Sequence, residues 1–177
     1  RRARRPKNGQ VSTCFLAIRL IGPTVEIETM SSHEMWFEAT STPGAAIATL
    51  TRTLDPVSDV SVLVVGFPGA VQAIAFPDNN RAPIAGQTRV RFVNGSPDDA
   101  AYDVYAGDTK LVGALAARTA SVYFPLAAGT YTITFRDPAS GETKLTIADQ
   151  ALAEGRVLTC YAAGATGQLS SIVSTDR

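Results

Sequence analysis

The chain has 177 residues, of which 45% are hydrophobic and 18% charged. That length allows one large domain or two small ones, and that composition excludes a chain disordered throughout. The formal net charge is zero but unevenly placed. Arg1, Arg2, Arg4, Arg5 and Lys7 put +5 into the first ten residues, and the other 167, with 11 basic and 16 acidic side chains, carry −5.

Taken in chain order, residues 1–10 read as a basic arm. Its two readings are a solvated terminus and an electrostatic contact with an acidic partner surface. Residues 14–23 are apolar, but Arg19 cuts them and no small-residue cleavage site follows, so they are not expected to be a signal peptide. The chain opens on Arg rather than Met, as expected of a processed product or a fragment, and a removed export signal stays open. The longest apolar run, residues 60–67, is broken by Ser61 and Gly66 and is far short of the ~20 residues of a membrane-spanning helix.

Period-2 alternation marks the strands. Val25 and Ile27 alternate with Glu26 and Glu28; Val90 and Phe92 alternate with Arg89 and Arg91; Tyr131, Ile133 and Phe135 alternate with Thr132, Thr134 and Arg136. One apolar and one polar face predict antiparallel sheets wetted on one side. Turn signals fall between the runs: Gly22-Pro23, Pro43-Gly44, Asp55-Pro56, Pro68-Gly69, Asn94-Gly95-Ser96-Pro97, Gly107-Asp108, Asp137-Pro138 and Glu154-Gly155. No segment keeps a helical period for more than about three turns. The expected class is all-β.

The chain also resembles itself at a shift of 98 positions. Phe37 falls on Phe135, Leu54 on Leu152, Gly66 on Gly164, Gly69 on Gly167, Ile74 on Ile172 and Asp78 on Asp176. Val60, Val62 and Val64 fall on Leu158, Cys160 and Ala162. The order of strand, glycine turn, strand and aspartate is kept, which predicts two tandem copies of one β-sandwich. The expected units are an arm at 1–10, a first copy at 11–78, a linker at 79–87 and a second copy at 88–177. The same shift carries residues 88–93 to positions before residue 1, and residues 102–105 onto the basic arm. The first copy is therefore expected to lack one or two N-terminal strands, and a sandwich so shortened exposes core and an unpaired edge.

The run Arg89-Val90-Arg91-Phe92-Val93-Asn94-Gly95-Ser96-Pro97-Asp98, followed by Asp103-Val104-Tyr105, resembles a family of bacterial and archaeal surface domains of unknown function. Ser121-Val122-Tyr123 and residues 126–132 extend the likeness over the second copy; the first matches only in its later half. Where the family has Ala-Pro, this chain has Asp99-Ala100. The resemblance implies immunoglobulin-like antiparallel sandwiches in tandem, in exported or cell-envelope proteins. It implies no catalytic residues. Turn chemistry accounts for the motif: Asn94, Ser96 and Asp98 can bond nearby backbone, Pro97 fixes φ, and Asp103 can accept backbone N–H groups. A calcium site from Asp98, Asp99 and Asp103 is the rival reading, but the Asp-x-Asp-x-Asp-Gly loop is lacking.

Catalytic constellations are sparse. The single histidine, His33, falls on Tyr131 by the repeat shift, where a structural place is expected. Glu26, Glu28, Glu34 and Glu38 cluster, and alternation puts them on an outward face. Trp36 falls on Thr134 and is expected to point outward, against the other copy, a second subunit or a sugar. Cys14 and Cys160 have no metal-type spacing. A buried thiol is expected at Cys160, and in an exported protein a Cys14–Cys160 disulfide is the alternative. No enzyme, metal or cofactor is expected, and nucleic acid is not an expected partner of an acidic body. The functional expectation is a self-assembling structural protein of the cell surface, with Arg1, Arg2, Arg4, Arg5, Lys7, Trp36, Glu26, Glu28 and Glu38 as interface candidates. Cell-envelope components are further candidate partners, and a binding module for glycan or protein is the alternative.

Overall fold

A computed structural model describes residues 14–20, 31–38, 46–54, 59–67 and 69–176, with side chains at 48–50, 59–67 and 69–176. The described residues form strands and no helix. Those of the first copy are β1 (Cys14–Leu20), β2 (Ser31–Glu38), β3 (Ala46–Leu54), β4 (Asp59–Gly66) and β5 (Gln72–Asp78). The second copy holds β6 (Gln87–Gly95), β7 (Tyr102–Ala106), β8 (Thr109–Leu115), β9 (Thr119–Ala120), β10 (Phe124–Ala127), β11 (Gly129–Arg136), β12 (Thr143–Leu152), β13 (Val157–Ala163) and β14 (Ser170–Thr175).

The 98-residue shift lays β2, β3, β4 and β5 on β11, β12, β13 and β14, with ends agreeing to within a residue or so. Both copies turn between their last two strands on the same pair of glycines. Gly66 and Gly164 have φ of 153° and 115°, and Gly69 and Gly167 have φ of 84° and 85°. These are left-handed or extended-positive conformations that a Cβ disfavours.

In the second copy, one sheet runs β10-β6-β13-β14, with β9 also on β6, and the other runs β12-β11-β7-β8. They enclose one core. Val90 and Phe92 from β6 and Leu158, Cys160 and Ala162 from β13 meet Tyr102, Val104, Ile133, Phe135 and Ile147 from the facing sheet. The ring of Phe135 stands edge-on to Phe92 and to Tyr102, at centroid distances of 6.2 and 6.5 Å. Each such pair adds about 0.5–1.5 kcal/mol to simple burial. Pairing is antiparallel except between β6 and β13. Those strands lie more than 60 residues apart in the chain, which leaves room for a parallel return.

In the first copy, one sheet runs β1-β4-β5 and the other pairs β2 with β3. Val60, Val62 and Val64 pack on Ala48 and Leu50 of β3. β1 lies beside β4 in the place that β6 takes beside β13, but it runs antiparallel where β6 runs parallel. It fills that slot without being the repeat counterpart of β6.

Alternation predicts a wetted outer face for β6 and β13, and here the structure differs. Val93 and Tyr161 on that face pack against Leu63, Val65, Ile74 and Phe76 of the first copy. Arg91, expected in water, is 2% exposed. The reason is that the two copies meet through the outward faces of equivalent strands. Hence β4 and β13 are buried on both sides, and both read as nearly unbroken apolar runs.

Candidate functional site

The apolar runs of β4 and β13 are each interrupted by one hydroxyl residue, Ser61 and Thr159, at equivalent repeat positions. Each hydroxyl donates to the aspartate that ends its own copy. Ser61 Oγ lies 2.9 Å from Asp78 Oδ1, and Thr159 Oγ1 lies 2.6 Å from Asp176 Oδ2. The copies thus present the same hydroxyl–carboxylate pair to their common boundary.

Arg91 joins the two pairs. It reaches Asp78 Oδ1 from Nη2 at 2.6 Å, and the two side chains are 2% and 0% exposed. Its Nη2 also donates to Ser61 Oγ, its Nη1 to the Pro77 carbonyl and its Nε to Thr159 Oγ1. A guanidinium this deep needs partners for its donors, and these contacts give each of its three nitrogens at least one acceptor. Among the described residues no cation forms an ion pair with Asp176. Its Oδ2 also accepts from the Tyr123 hydroxyl at 3.1 Å, and its Oδ1 is buried with no hydrogen-bond partner among the described residues. Burial raises the Asp176 pKa, against the opposing pull of the Thr159 hydroxyl, Arg91 and Tyr123. The Tyr123 and Tyr161 hydroxyls are likewise raised, chiefly by burial.

Tyr123 reaches this network because the strand along β6 breaks. β9 and β10 both pair with β6, and residues 121–123 between them do not. There the Ser121 side chain replaces the backbone: Oγ accepts the Phe92 N–H at 3.0 Å, while Ser121 N–H donates to the Phe92 carbonyl. The outward excursion leaves Val122 70% exposed. It also places the Tyr123 ring beside two guanidiniums, with Arg89 5.2 Å and Arg91 4.7 Å from its centroid.

Beside Tyr123 lies a groove of about 390 Å³. Phe76, Pro77 and Asn79 line it from the first copy; Arg89, Arg91, Ala120, Ser121, Val122 and Tyr123 line it from the second. Arg89 is fixed through Nη1, which donates to the Asn79 carbonyl, the Asn79 side chain and the Arg81 carbonyl at 2.9–3.3 Å. No carboxylate lines the groove among the described residues.

The motif residues hold turns. Asn94 Nδ2 donates to the Ala100 and Leu115 carbonyls, and Asn94 Oδ1 accepts the Ser96 N–H. Asp103 accepts the Ala114 N–H and pairs with Lys110, and its pKa falls, first through the Lys110 bond and then through the Ala114 bond. Asp99 pairs with Arg118, and Asp98 accepts the Thr166 N–H. The three carboxylates weighed for calcium thus bond three different sets of partners. No group of three metal-ligating side chains gathers among the described residues.

Of the residues singled out in the sequence, Arg1, Arg2, Arg4, Arg5, Lys7, Glu26 and Glu28 lie outside the described residues. Trp36 and Glu38 lie on β2 and Cys14 opens β1, all three with side chains outside the described set. Cys160 is a free, fully buried thiol in the second core, its pKa pushed up to about 12 by burial. From the sequence, no role in a site is expected of Arg91, Ser61, Thr159 or Tyr123, and no groove is expected beside them. The available signal was Ser61 falling on Thr159 at the same shift that pairs Asp78 with Asp176.

Comparison with curated proteins gives no match. The family described as a domain of unknown function (DUF4397) matches twice, over residues 24–101 and 90–177. The stretch common to both matches includes most of β6, which pairs with β13 of its own copy and sends Arg91 to Asp78 of the preceding one. With most of its length matched in two tandem stretches, the chain belongs to the family of this domain of unknown function.

Proposed function

We propose that this protein is a non-enzymatic structural component of the cell surface that assembles with copies of itself. The observation that carries the reading is a difference between equivalent sheets. β11 is paired on both edges, by β12 and by β7, whereas its counterpart β2 is paired among the described residues by β3 alone. An edge of this kind accepts a strand from a neighbour by main-chain hydrogen bonding. The register of β7 on β11 maps an incoming strand onto Met35, Trp36, Phe37 and Glu38. The basic arm meeting the acidic residues Glu26, Glu28 and Glu38 would aid docking. A head-to-tail contact of this type makes open filaments unless it closes on itself. The buried junction suits such a role, because it holds the tandem copies as one stiff unit. Immunoglobulin-like sandwiches and an extracellular setting belong to the same reading. Light scattering and electron microscopy at high concentration and low salt test it. Growth into oligomers, with slowed amide exchange along β2, is expected; monomers throughout would sink it.

A second reading, a module that binds an extracellular glycan or protein, is favoured by the groove between the copies. Glycan-array binding or partner capture that Val122→Glu, at the groove, abolishes would favour it over assembly.

A further inference from the structure

The groove at the junction has a chemical character that the assembly reading does not use. Its walls are mostly apolar, from Phe76, Pro77, Ala120 and Val122. Its two cations differ. Arg91 is neutralised by Asp78, while Arg89 has no carboxylate partner among the described residues. The Arg89 guanidinium is nevertheless held in place, by three oxygens on Nη1 and by its approach to the Tyr123 ring. Its Nε and Nη2 have no hydrogen-bond partner among the described residues. A guanidinium fixed before binding, with a free N–H edge, favours a carboxylate, because little ordering remains when the anion arrives. Ser121 and Tyr123 complete the same wall, with their hydroxyls already bonded to the Val122 carbonyl and to Asp176. The volume suits a small organic molecule, and clefts between domains are favoured places for such sites.

We propose that this groove binds a small carboxylate with an apolar body, the carboxylate on Arg89 and the body against Phe76 and Val122. The site exists only where both copies meet, since each supplies one wall. It does not depend on self-assembly, and monomers would bind equally well.

Phenylacetate is a fitting probe, with phenylacetamide as its uncharged match in shape. In titrations followed by ¹H–¹⁵N spectra, phenylacetate should shift the amides of Ala120, Ser121, Val122 and Tyr123 and the Arg89 Nε resonance, saturably. Phenylacetamide should bind roughly tenfold more weakly, the usual advantage of a charge-assisted pair. Arg89→Gln should remove the preference for the acid. Because Arg89 also ties down Asn79 and Arg81, a second variant guards against misfolding. Val122→Glu changes a side chain already 70% exposed and should weaken phenylacetate several-fold with an unchanged melting temperature. Absence of saturable shifts at the groove, equal affinity for the amide, or undiminished binding by Val122→Glu would each overturn the proposal.

Discussion

Arg91, on the first strand of the second copy, and Asp78, at the end of the first copy, form an ion pair of 2.6 Å with both side chains essentially out of solvent. The pair closes the boundary between two sandwiches that also share apolar contacts. Charges this deep are held by each other and by the surrounding hydroxyl and carbonyl groups, so losing one partner strands the other.

Arg91→Met should therefore destabilise the protein by about 3–5 kcal/mol. Asp78→Asn combined with Arg91→Met should cost clearly less than the two single changes added together. Urea unfolding of all four proteins measures the coupling; strict additivity would mean that the pair does not hold the junction.

Asp176 gives a pH signature. Its pKa is raised in the folded state, so the folded protein holds that proton more tightly than the unfolded chain. The resulting stabilisation is full below the unfolded value of about 3.9 and is lost as the pH rises through the raised folded value. Arg91, Asp78, Tyr123 and Tyr161 surround it and set how far that window extends. Unfolding free energies measured across a pH series should fall more steeply with rising pH in the native protein than in Asp176→Asn. Parallel curves for the two would remove Asp176 as the source.

The repeated glycines should separate into two classes. A Cβ on Gly164 would stand 2.6 Å from the Gln168 carbonyl oxygen, and one on Gly66 would collide with the Ala70 carbonyl oxygen. At Gly69 and Gly167 a Cβ meets open space, leaving only the positive φ as a penalty. Gly66→Ala and Gly164→Ala should each cost about 2–3 kcal/mol or more, against about 1 kcal/mol for Gly69→Ala and Gly167→Ala. Thermal unfolding of the four variants ranks them.

Cys160 should resist alkylation in the native protein at mildly alkaline pH, because its thiol is buried and its pKa lies near 12. Mass spectrometry after iodoacetamide treatment should find Cys160 modified only once denaturant is added, whatever happens at Cys14. Rapid native labelling of Cys160 would show that the second core opens readily.

Much of the fold is legible in the sequence. The alternation of Ile133 and Phe135 with threonines, the glycine pairs and the 98-residue shift are local or repeated features, and they locate β2 to β5 against β11 to β14. The turn roles of Asn94 and Asp103 follow from side chains that bond backbone close by. The candidate site is far less legible. Arg91 sits in an alternating strand exactly as a solvated residue would, and Ser61 and Thr159 look like incidental breaks in apolar runs. Val122 and Tyr123 read as ordinary strand residues until Ser121 takes over a backbone bond of Phe92.

The sequence by itself determined the all-β class, the tandem repeat and the inward faces of the second copy, because strand period and turn chemistry are set by neighbours along the chain. Only the tertiary structure decided which outward faces meet, and with them the burial of Arg91, the raised pKa of Asp176 and the groove beside Arg89. Those depend on surfaces brought together from distant parts of the chain, and a two-residue period is the same whether water or another sheet covers the second face.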